Sequence, residues 1–72
     1  MSALDDRLIL AHEAQDGRAL VDLYTEAAQL AEEEDARAFY LTHAFVFALE
    51  QGAPQVAQLR QQLIEMGRET PV

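Results

Sequence analysis

The stretch from Ala38 to Leu49 is apolar on almost every side, and this constrains the chain more than any other feature. Wound as a helix, Phe39, Tyr40, Leu41, Phe45, Val46 and Phe47 point around nearly its whole circumference. Such a helix is buried on all sides or meets a partner. Its residues rise only about 18 Å, well short of the roughly 30 Å of hydrocarbon in a bilayer. The rest of the 72 residues, or a partner chain, must therefore cover it. That length suits one small domain, residues 1–72.

The remaining periodicity is helical, and no segment alternates with period two, so the fold class is all-α with about four helices. A first helix is predicted from Ala3 to Ala14, with Ser2 and Asp5 resembling a capping box. Asp16 is placed to cap a second, from Gly17 to Glu33, whose stripe is Leu20, Leu23, Tyr24, Ala27, Leu30 and Ala31. Glutamates oppose the dipole at a helix C-terminus and favour the next N-terminus. The break therefore falls within Glu32-Glu33-Glu34-Asp35, with Asp35 as N-cap of a third, central helix from Ala36 to Gln51. Gly52 ends that helix, and Pro54 opens a fourth that runs to Met66 with Val56, Leu59, Leu63 and Met66 inward. Residues 68–72 are expected to fray.

Charge narrows the function. The formal net charge is −8, and all five bases are arginine. Ten acids and two arginines lie in residues 1–35, so the first half carries the whole field. A protein that neutralises nucleic-acid phosphates is disfavoured. No cysteine is present, which removes disulfides, thiol catalysis and thiolate metal sites. The acids of Met1-Ser2-Ala3-Leu4-Asp5-Asp6 stand where a secretory signal is basic, so the expected compartment is the cytoplasm, with no membrane partner.

Leu20-Val21-Asp22-Leu23-Tyr24 resembles the first helix of a Sel1-like or tetratricopeptide-like repeat, and Ala48-Leu49-Glu50-Gln51-Gly52, followed by Ala57, looks like the end of a second helix and the start of the next. Small residues, Ala27, Ala28, Ala44 and Ala48, stand where paired helices of this kind approach closely. The resemblance covers about residues 16–63. It implies an antiparallel helix hairpin, protein–protein interaction and no catalysis.

Individual residues offer little chemistry. His12 and Asp16 form an i, i+4 pair able to bind a metal weakly, but a solvated helix end accounts for them. His43 reads as a packed histidine with one hydrogen-bond partner or at the edge of the apolar stripe. Thr42 is expected to bond back to a carbonyl one turn earlier. No nucleophile–base pair and no glycine-rich phosphate loop can be drawn, so no enzyme, cofactor or metal is expected.

The reading is a non-catalytic cytoplasmic module that presents an apolar helix face or groove to another protein. Phe39, Tyr40 and Phe47, with Glu32, Glu33 and Glu34 of the acidic bend, are the candidate partner-binding residues. The uncovered side of the third helix suggests a homodimer or a stable complex. The alternative is an acidic regulator whose N-terminal half occupies a basic surface on its target. Phe45 and Leu41 are both expected in the core.

Overall fold

Hydrophobic stripes wind residues 3–68 into α1 (Ala3–Glu13), α2 (Gly17–Leu30), α3 (Glu34–Gln51) and α4 (Val56–Glu65). These are the residues that the computed structural model describes, and no strand occurs among them. Ser2 of the expected capping box lies outside them, as do residues 69–72 of the expected frayed end. Arg68, which was placed in that end, pairs with Asp35. The protein is a small all-α bundle.

Each helix packs on its neighbour in sequence. Arg7 of α1 reaches Glu26 late in α2, Tyr24 of α2 stacks on Phe47 late in α3, and Arg68 beyond α4 reaches Asp35 at the start of α3. Every helix thus runs antiparallel to the one before it. The Cα trace measures 35 × 28 × 13 Å, a flattened slab. The centre is shared: α2 lies between α1 and α3, and α3 between α2 and α4.

The core is built from small side chains. Ala27, Ala28, Ala38, Ala44 and Ala48 are all buried along α2 and α3, which lets the two backbones approach closely. Leu59 and Leu63 of α4 complete the main cluster against Val21, Leu41, Ala44 and Ala48. A second cluster, Ala11, Leu20 and Leu23, holds α1 to α2, with Leu4 and Leu8 packed on it. Val21 and Ala28 are buried although they lie off the expected α2 stripe, because α2 is covered on two sides. Leu30, expected on that stripe, is exposed at the end of the helix. Phe45, expected in the core, is only half-buried and leans on the main cluster from its rim.

Helix ends differ from expectation at the end of α1, at the α2–α3 break and at both ends of α4, which stops at Glu65 rather than Met66. Glu13 ends α1, and Ala14 and Gln15 form the turn. The second helix stops at Leu30 rather than Glu33, and α3 begins at Glu34 with Glu33, not Asp35, as N-cap. Glu34 and Asp35 thereby sit in the first turn of α3, where carboxylates oppose the positive end of the dipole. Pro54 does not open α4. The amide of Val56 donates to the carbonyl of Ala53 at 3.3 Å, so Pro54 holds the second position of a turn, where its fixed φ is favoured.

Candidate functional site

Of the apolar surface on α3, packing leaves one ribbon uncovered. Ala38, Leu41, Ala44 and Ala48 turn inward, while Phe39, Val46 and Leu49 are 56%, 45% and 54% exposed. With exposed Thr42, these residues follow one another at steps of three, four and three. That is the spacing of a helix seam rather than of scattered surface residues. The candidate site is this outer face of α3.

One flank of the face is aromatic. Along α3, Tyr40, His43 and Phe47 turn toward Tyr24 of α2. Tyr24 and Phe47 stack with ring centroids 5.8 Å apart and planes within 11°. His43 lies 5.1 Å from the Tyr24 ring and 4.3 Å from that of Phe39. Its Nδ1–H donates to the carbonyl of Phe39 at 2.9 Å, one turn back. His12 of α1 closes the cluster: its Nε2 and the Tyr24 hydroxyl share a hydrogen bond of 2.8 Å, and its ring meets the edge of Phe47. Burial between the helices, and secondarily the neighbouring Tyr40 phenol, raises the pKa of Tyr24 above its ordinary 10.0.

The candidate residues therefore separate. Phe39 belongs to the exposed ribbon, whereas half-buried Tyr40 and Phe47 pack against the core and line the aromatic flank. Glu32 and Glu33 lie in the α2–α3 link and Glu34 begins α3, one turn before the ribbon. None of the three makes an ion pair among the described residues. His12 and Asp16 do not act as a pair: His12 bonds to Tyr24, and Asp16 Oδ1 accepts from the amide of Ala19 to cap α2. Thr25 and Thr42 donate their hydroxyls to the carbonyls of Val21 and Ala38, so neither is aimed at a histidine.

A shallow groove of ≈ 470 Å³ runs between α1 and α2, lined by Leu10, Ala11, Ala14 and Leu23 with Arg7, Asp16 and Asp22 at its rim. It is separate from α3. A smaller hollow of ≈ 290 Å³ lies where the α3–α4 turn meets α2, and Gln55 on its wall keeps a side-chain oxygen buried without a hydrogen bond.

Two features escaped sequence reasoning. The His12–Tyr24 bond joins residues on different helices and leaves no spacing signal. The seam on α3 was present as a spacing, but apolar residues on the other sides of the helix hid it. Compared with known proteins, the chain matches no family model, no curated protein and no solved structure.

Proposed function

We propose that this protein is a small, non-catalytic, cytoplasmic interaction module whose outer α3 face docks another protein. One observation carries the reading: Phe39, Val46 and Leu49 stand exposed on one ribbon of a helix that buries Ala38, Leu41, Ala44 and Ala48 on its inner side. Exposed apolar side chains are unremarkable singly, but in a continuous row they mark a contact surface. The antiparallel α2–α3 hairpin with alanines at the crossing supports kinship in form with Sel1-like and tetratricopeptide-like repeats, which serve interaction. Nucleic acid and membrane are not the partners under this reading.

The test uses a Phe39→Ser, Leu49→Ser double variant beside the wild type. A protein retained by the wild type is identified, purified and titrated into labelled chain. Amide shifts confined to α3 and its flank, lost in a double variant that melts like the wild type, support the reading. Equal binding by the variant, or shifts centred on α1 and α4, sinks it.

The acidic reading has its own support, because Glu32, Glu33 and Glu34 stand without ion-pair partners among the described residues. Changing all three to glutamine should then slow association and flatten its salt dependence. If binding instead proceeds at the wild-type rate, the field serves only solubility.

A further inference from the structure

The outer face of α3 has two properties that together define its occupant. The first is spacing. Phe39, Thr42, Val46 and Leu49 alternate steps of three and four, so a straight helix laid along them keeps contact over the whole row at a shallow crossing of about 20°. A strand or an irregular loop gains nothing from that periodicity. The row covers about 15 Å of helix rise, roughly three turns of a partner.

The second is charge. Asp35 lies one turn before Phe39, and Glu50 lies one turn after Val46, beside Leu49, so the apolar row is closed by an acid at each end. Glu33 and Glu34 add to the first end. Arg68 offsets Asp35, but Glu33, Glu34 and Glu50 have no ion pair among the described residues. No arginine stands on the row: Arg37 turns the other way and donates to the carbonyl of Ala31. Half-buried His43 borders the row with its Nδ1 committed to the Phe39 carbonyl.

From these two properties we infer that the α3 face receives a basic amphipathic helix, with an apolar stripe about three turns long bracketed by lysine or arginine at both ends. The inference rests on the proposed role of this face in interaction and specifies the partner's chemistry. A second copy of the chain fits the spacing but not the charge. Parallel pairing sets Glu34 beside Glu34, antiparallel pairing sets Glu50 near the acidic start of the other α3, and each copy brings a net charge of −8.

The test titrates the labelled full chain with three synthetic peptides of about 18 residues. The first carries leucines at helical i, i+3, i+4 and i+7 spacing with lysines at both ends. The second has glutamate in place of each lysine. The third scrambles the first, keeping its charge but not its stripe. The first peptide should bind, with amide shifts along Phe39 to Leu49. Raising sodium chloride from about 50 mM to about 300 mM should weaken it several-fold, and Phe39→Ser should weaken it about tenfold or more. Glu34→Gln with Glu50→Gln should reduce the salt effect while leaving the Phe39 contribution intact. Equal binding of the scrambled peptide shows mere charge attraction and overturns the inference, as does equal binding of the glutamate peptide.

Failure here is separable from failure of the interaction reading. A homodimer in sedimentation equilibrium that Phe39→Ser dissociates overturns the basic-helix inference and leaves the face an interface. A monomer whose shifts with every peptide fall away from α3 overturns both.

Discussion

At the scale of single residues, depth of burial decides what a side chain contributes. Leu41 is 2% exposed and touches the cluster formed with α2 and α4, whereas the larger Phe45 sits at the rim. Leu41→Ala removes fully buried methyl groups and leaves a cavity, for a cost of about 2–5 kcal/mol. Phe45→Ala gives up only part of its ring to water and should cost about 1–2 kcal/mol. Urea denaturation orders the two, and a larger loss for Phe45→Ala would mean that the rim, not the α2–α3–α4 junction, is the true core. Tyr24 governs a different quantity. Its phenol is held above the ordinary 10.0, mainly by burial. The unfolded chain therefore releases this proton first, so its contribution is complete below about pH 10 and is lost as pH rises toward the folded value. The chain has no lysine to lose its charge in that window. Tyr24→Phe should cost about 0.5–1.5 kcal/mol at neutral pH through the lost bond to His12, yet flatten the alkaline decline. Melting points taken between about pH 8 and about pH 11 decide it, and an undiminished decline would show that Tyr24 is not the responsible group.

At the scale of elements, three helices end by the same device. After α1, α3 and α4 the chain turns left-handed, at Gln15 (φ 53°), Gly52 (φ 61°) and Gly67 (φ 73°). In each turn the following amide donates to a carbonyl five residues back: Asp16 to Ala11, Ala53 to Ala48 and Arg68 to Leu63. Two of these positions hold glycine and one does not, which sets up a paired test. Gln15→Gly should stabilise by about 0.5–1 kcal/mol, and Gly52→Ala should destabilise by about 1 kcal/mol, both read as shifts in the thermal midpoint. A loss on Gln15→Gly would show that the side chain, rather than the backbone angle, matters there. These ends also show how far sequence reaches. The number of helices, the Asp16 cap, the Gly52 stop and the inward stripe of α4 were legible because each is a local pattern. The end of α1 falls at Glu13 rather than the expected Ala14, because the left-handed angle is carried by Gln15, a residue type that does not signal a stop. Gly17 opens α2 as expected, and a methyl group on it would meet the Gln51 side chain. The exposed side of α3 was illegible for another reason: a helix apolar all round has no period to mark its outer face, and only the positions of α2 and α4 select it.

At the scale of the whole molecule, charge and fold are set against each other. The chain carries thirteen acids and five arginines, and a compact slab brings those acids closer together than an unfolded chain does. The ion pairs Arg7–Glu26 and Arg68–Asp35 are exposed, and such pairs contribute about 0–1 kcal/mol each in water. Salt weakens those pairs, but it also screens the repulsion among the carboxylates, ten of which lie in residues 1–35. Repulsion involves many more groups than attraction here, so its screening should win. The thermal midpoint should therefore rise by a few degrees as sodium chloride goes from about 10 mM to about 300 mM, a shift of about 0.5–1 kcal/mol for a chain of this size. Glu32→Gln should reproduce part of that rise at low salt, since this residue lies in the link between helices, before the N-cap of α3. Glu34→Gln should not, because this carboxylate faces the N-terminal end of α3 and its loss costs about 0.3–1 kcal/mol. A midpoint that falls with added salt would show that the ion pairs outweigh the field. The excess acid would then be a feature of the fold itself rather than a surface left open to a basic partner.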